Sequence, residues 1–146
     1  MSRAFFETVD DALHGFLPPS LRGFDSHRTS MNLKVWYDEG REHYEVQLVH
    51  GPALEVGFHA EHPKPDDNDA VIAHLLASEK QWRRIVGQEA QVGDFLGRQD
   101  KWRRVSETWP DPDLGDGDLV IEIATRLTDY ITAIEPVRRR RSPRAT

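Results

Sequence analysis

The chain of 146 residues contains no cysteine. That excludes disulfides, thiolate nucleophiles and cysteine-ligated zinc or iron–sulfur centres. No hydrophobic run is long enough to cross a bilayer. The opening Met-Ser-Arg-Ala-Phe-Phe-Glu-Thr-Val-Asp-Asp carries acids where a secretory signal needs an unbroken apolar stretch, so a cytoplasmic location is expected. A phosphate-binding glycine loop, a dinucleotide fingerprint and a serine–histidine–aspartate order are missing as well. Positive charge is scarce and unevenly placed, with 19 Lys and Arg against 25 Asp and Glu. Five of the basic residues are Arg138, Arg139, Arg140, Arg141 and Arg144. Without them 14 basic residues face the 25 acids, a net of −11. Such an acidic body argues against a general nucleic-acid binder, because phosphate repulsion would have to be overcome locally.

What is present reads as one soluble α+β domain, with 38% hydrophobic and 30% charged residues. Phe5, Val9, Leu13 and Phe16 fall at helical spacing and Pro18-Pro19 closes a first helix over 2–17. Residues 20–30 lack periodicity and read as a loop. Three strands follow, over 31–37, 42–49 and 53–60, joined by short turn-rich segments as in an antiparallel meander. A helix over about 68–86 is expected next, N-capped by Asn68 or an adjacent Asp and burying Val71, Ile72, Leu75, Leu76, Trp82 and Ile85. Residues 90–96 and 101–108 suggest a second hairpin around Gly97-Arg-Gln-Asp100. A last helix over about 118–135 completes the order α-β-β-β-α-β-β-α, with an antiparallel sheet packed on helices on one face. The domain is expected over 1–137 and a disordered arginine-rich tail over 138–146.

Period-two alternation divides the meander. Leu33, Val35, Tyr37, Tyr44, Val46, Leu48, Leu54, Val56 and Phe58 form the core face, and Lys34, Trp36, His43, Glu45, Gln47, Glu55, His59 and Glu61 the other. Matching faces across the turns sets His43 opposite His59, Gln47 opposite Glu55 and Lys34 opposite Glu45. Two imidazoles beside carboxylates are a valid set for zinc or another divalent ion, with His43, His59 and Glu61 as ligands and Glu45 as a base. The same residues also suit ordinary cross-strand pairing on a solvated face.

Other patterns are weaker. His59-Ala-Glu61 spells half of the zinc-deaminase signature, but that chemistry needs cysteines absent here. Asp111 to Glu122 resembles a calcium loop with the Asp-Gly order reversed at its turn, so an acidic cap on the last helix is the better account. Trp82-Arg-Arg and Trp102-Arg-Arg fall in a helix and a strand, which denies them a common geometry, and both tryptophans are expected in the core. Asp38, Glu45 and Gln47 lack the lysine a nuclease would use.

The segment His43-Tyr-Glu-Val-Gln through Leu54-Glu-Val-Gly-Phe-His-Ala-Glu61, with Lys101-Trp-Arg-Arg-Val, resembles a group of short bacterial proteins to which no activity is attached. The order of elements is similar to that of type III secretion chaperones and YbjN-type proteins. That likeness implies dimerisation and the holding of extended partner segments on sheet and helix surfaces. The expectation is a non-enzymatic binding or chaperone-like module without a cofactor. A protein or peptide partner, or a second copy, would contact Lys34, Trp36, Glu45, Gln47, Glu55, His59 and Glu61. The alternative is a metal-dependent hydrolase or nuclease with its His/Glu site on that face. Nucleic acid would be reached only weakly, through the arginine tail.

Overall fold

A computed structural model describes residues 2–94 and 101–141. It is an α+β domain in which four helices pack against a six-stranded antiparallel sheet. In chain order the elements are α1 (Ser2–Phe16), a 3-10 turn (Pro19–Leu21), β1 (Asp25–Arg28), β2 (Asn32–Trp36), β3 (Glu42–Val49), β4 (Ala53–Ala60), α2 (Pro65–Leu76), α3 (Glu79–Val86), β5 (Gln91–Asp94), β6 (Arg103–Pro110) and α4 (Gly117–Arg139). The strands lie in the order β1-β2-β3-β4-β6-β5.

The three alternating strands form where their patterning places them. Leu33, Val35, Tyr44, Val46, Leu54, Val56 and Phe58 are all buried, together with Val105 of β6. Onto this face α4 brings Ile123, Leu127, Tyr130, Ile131 and Ile134, while α1 adds Phe5, Phe6, Val9 and Leu13. Burying a Leu, Ile or Phe side chain is worth about 1.5–3 kcal/mol, so this one interface supplies most of the driving force for folding.

Several expectations need correction. Strand β1 lies inside the segment expected to be a loop. Its four residues are all exposed and carry no apolar alternation. Polar contacts dock it instead, with Ser26 Oγ and Arg28 Nη1 donating to the buried Asp10 carboxylate at 3.1 and 2.6 Å. The helix expected over 68–86 is two helices, broken at Ala77-Ser78. Leu76 and Ile85 lie at the two flanks of the buried stripe and are exposed, while Trp82 is fully buried and donates its indole N–H to the Leu75 carbonyl. Trp102 is only half-buried.

Asn68 is not a cap. It sits within α2, buried, accepting from the His62 backbone N–H and donating to the carbonyls of His62 and Lys101, so it ties the exit of β4 to the approach of β6. The turn expected around 97–100 lies outside the described residues. Asp116 does cap α4, its carboxylate accepting from the Asp118 N–H at 2.9 Å.

The helix also continues past Pro136 to Arg139, beyond the point where a disordered tail was expected. Arg138 forks onto both oxygens of the buried Glu135 at 2.9 Å each and also reaches Glu42 and Asp38. Arg141 adds a second bond to Glu42 at 3.1 Å. Arg144 lies outside the described residues.

Candidate metal centre

On the sheet face away from the core helices, β3 presents His43, Glu45 and Gln47 and β4 presents Glu55, Gly57 and His59. The register is the one alternation implied, pairing His43 with His59, Gln47 with Glu55 and Lys34 with Glu45. Gly57 is required by close approach, since a Cβ there would collide with the Val105 carbonyl oxygen and with Ser106 of β6.

Burial is where the face departs from expectation. His43, Glu45, Glu55 and His59 are buried, so they are not presented to a partner; Lys34, Trp36, Gln47 and Glu61 are half-buried. Of the seven residues expected to contact a partner, Glu45, Glu55 and His59 are thus buried and the other four half-buried; Glu45, Glu55, His59 and Glu61 belong to one charged cluster.

Within that cluster, His43, Glu45, His59 and Glu61 each offer a ligand atom, and those atoms lie within 4.8 Å of one another. His43 Nε2 is 2.9 Å from Glu45 Oε1 and 3.8 Å from Glu61 Oε2, while His59 Nδ1 is 3.2 Å from Glu61 Oε2. Donors at ~2.1 Å around a tetrahedral ion are spaced ~3.4 Å apart, a value these distances straddle. The two imidazole rings stack at 5.4 Å, nearly parallel.

The outward atoms of three of these side chains are already engaged. His43 Nδ1 lies 2.9 Å from the Gly40 carbonyl, which accepts its proton and turns Nε2 inward, toward Glu45. His59 Nε2 lies 2.9 and 3.0 Å from the Glu55 oxygens, which turns Nδ1 inward in the same way. Asn32 donates to Glu45 Oε2 at 2.9 Å, leaving Oε1 toward His43. Glu55 is held by Gln47 at 2.8 Å and by Ser106, whose hydroxyl also accepts from Arg104. Histidines that bind metals are oriented in this way, by a carboxylate or carbonyl on the far nitrogen.

The electrostatics call for positive charge. Burial opposes a proton on His59, but Glu55, followed by Glu61 and Glu45, outweighs it and raises its pKa to about 10. Burial likewise pushes the Glu55 and Glu61 carboxyls up; His59 overcomes it at both, with Lys34 contributing at Glu61, and each ends below its ordinary value. In the cluster itself the carboxylates of Glu45, Glu55 and Glu61 stand beside Lys34, Arg104 and the proton on His59. A metal ion would compete for that place.

Sequence reasoning found His43, Glu45, His59, Glu61 and Glu55 but missed Asn32, Ser106 and Arg104, whose roles depend on strands packed alongside. The register to β6, which pairs His59 with Arg104 and Gly57 with Ser106, carries no signal in local alternation. Asp38, the first residue of the degenerate nuclease pattern, instead pairs with Arg138. No family model, curated protein or solved structure matches the chain. Among the described residues no helix is long and apolar enough to cross a membrane.

Proposed function

We propose that this protein binds a divalent first-row transition-metal ion through His43 Nε2, His59 Nδ1 and carboxylate oxygens of Glu45 and Glu61. The observation that carries the reading is convergence: four ligand atoms lie within 4.8 Å of one another. The far sides of both histidines and of Glu45 are already held by Gly40, Glu55 and Asn32. The inward nitrogens, His43 Nε2 and His59 Nδ1, both face carboxylates of the same cluster, so an ion that displaces the proton between them would find its donors already gathered. Mixed imidazole and carboxylate donors suit zinc, iron or manganese, and the absence of sulfur disfavours copper(I).

Two histidines and Glu61 alone form a set that leaves coordination positions for water, with Glu45 then standing as a base beside it. Hydrolysis is the chemistry such a set supports. The test is metal analysis of protein purified without chelator, followed by thermal melts with and without added ion. About one zinc, iron or manganese per chain is expected, with stabilisation of ~2.7 kcal/mol once free ion reaches a hundred times Kd. Glu61→Gln, which alters the least buried ligand, should weaken retention. Protein that carries no stoichiometric metal and melts at an unchanged temperature with each ion would sink the proposal.

A further inference from the structure

We infer, resting on the metal-site reading above, that the ion and Lys34 together take up an oxyanion, the phosphate or carboxylate group of a small ligand. Accessibility gives the direction of approach. The His43 and His59 side chains are fully buried and Glu45 is 4% exposed, whereas Glu61 is 16% exposed. Solvent therefore reaches the cluster past Glu61.

Lys34 stands beside the cluster, half-buried and facing the ligand Glu45 directly across the β2–β3 ladder. Among the described residues no hydrogen bond or ion pair engages its ammonium, so three donors are uncommitted. Arg104, the second cation on the face, differs. Its donors go to the Asp94 carbonyl, to Ser106 and to Gln91. It supplies charge while four of its five N–H donors are already committed.

Charge then selects the ligand. With a dication in place, Glu45, Glu55 and Glu61 are opposed by the ion, Lys34 and Arg104, which leaves one positive charge over. An anion completes the balance, and oxygen donors match both an ammonium and an ion already held by carboxylates. The chain as a whole carries −6, which repels extended polyanions and favours a compact ligand with a single charged group.

The inference is tested by calorimetric titration of inorganic phosphate, and separately of acetate, into the full-length protein loaded with its ion. The same titrations are run on chelator-stripped protein and on loaded Lys34→Met and Lys34→Arg. Binding of either anion that is at least tenfold weaker without the ion and in Lys34→Met, and mostly retained in Lys34→Arg, supports it; the tighter of the two anions names the class. Equal affinity in Lys34→Met or in stripped protein overturns it, as does the absence of binding to loaded wild type. Failure to retain any ion would instead refute the metal site itself, which metal analysis of the same samples reports separately.

Discussion

Glu55 is not one of the four converging ligands, yet it determines which nitrogen of His59 faces the other three. Its two oxygens lie 2.9 and 3.0 Å from His59 Nε2, and Gln47 and Ser106 hold it in turn. Replacing it by glutamine keeps an acceptor of nearly the same shape and removes the charge. The imidazole stays oriented but loses the partner that raises its basicity, an effect typically worth 10–100-fold in metal affinity. Glu55→Gln should therefore fold and bind the ion more weakly by about that factor in a direct metal titration. Unchanged affinity would reduce Glu55 to a packing residue. The Gly40 carbonyl serves His43 in the same way from the β2–β3 turn, and because it is backbone no side-chain substitution there removes it.

At the level of elements, legibility followed the strength of the local pattern. The hairpin of β3 and β4 was readable to the residue, because eight-residue strands with strict alternation and a short turn admit one register. The candidate ligands were legible for the same reason. Strand β1 was not, since Ser26 and Arg28 dock through Asp10 and leave no hydrophobic signature. The break between α2 and α3 was hidden by apolar residues that continue in helical phase across it. The last helix was read too short because Pro136 and an arginine run signal an end, whereas the run forms ion pairs. Arg138 and Arg139 close on Glu135, which is fully buried and also accepts from the Tyr44 hydroxyl at 2.8 Å. A chain truncated after Val137 would leave that carboxylate without its cations, and an uncompensated buried charge costs about 3–5 kcal/mol. The truncated protein should melt well below the full chain, and Glu135→Gln should recover part of the loss. A truncation that leaves Tm unaltered would return the arginines to the role of a solvated tail.

Across the whole molecule, the charged interior makes stability depend on pH from both sides. The pKa of metal-free His59 rises from an ordinary 6.5 to about 10 on folding, where burial is outweighed by Glu55, Glu61 and Glu45. The folded chain thus holds a proton that the unfolded chain releases near 6.5. Its stabilisation is complete below 6.5 and is lost as pH rises through about 10. Glu42, Glu55 and Glu61 run the other way. Burial raises each, His62 with Arg141 and Arg138 at the first and His59 at the other two outweigh it, and all three end below 4.5. Their contribution is complete above that value and disappears as pH falls through the lowered pKa values. Both sets act in full only between about 4.5 and 6.5. Metal-free protein, melted in the presence of a chelator, should therefore be most stable in that window and lose several degrees of Tm between pH 6.5 and 10. A bound ion replaces the proton on His59, so loaded protein should keep its Tm over the same alkaline range and lose it first in acid, where protons displace the ion. The two profiles would then cross over as pH rises. Parallel profiles, with and without chelator, would mean that proton and metal do not share the site.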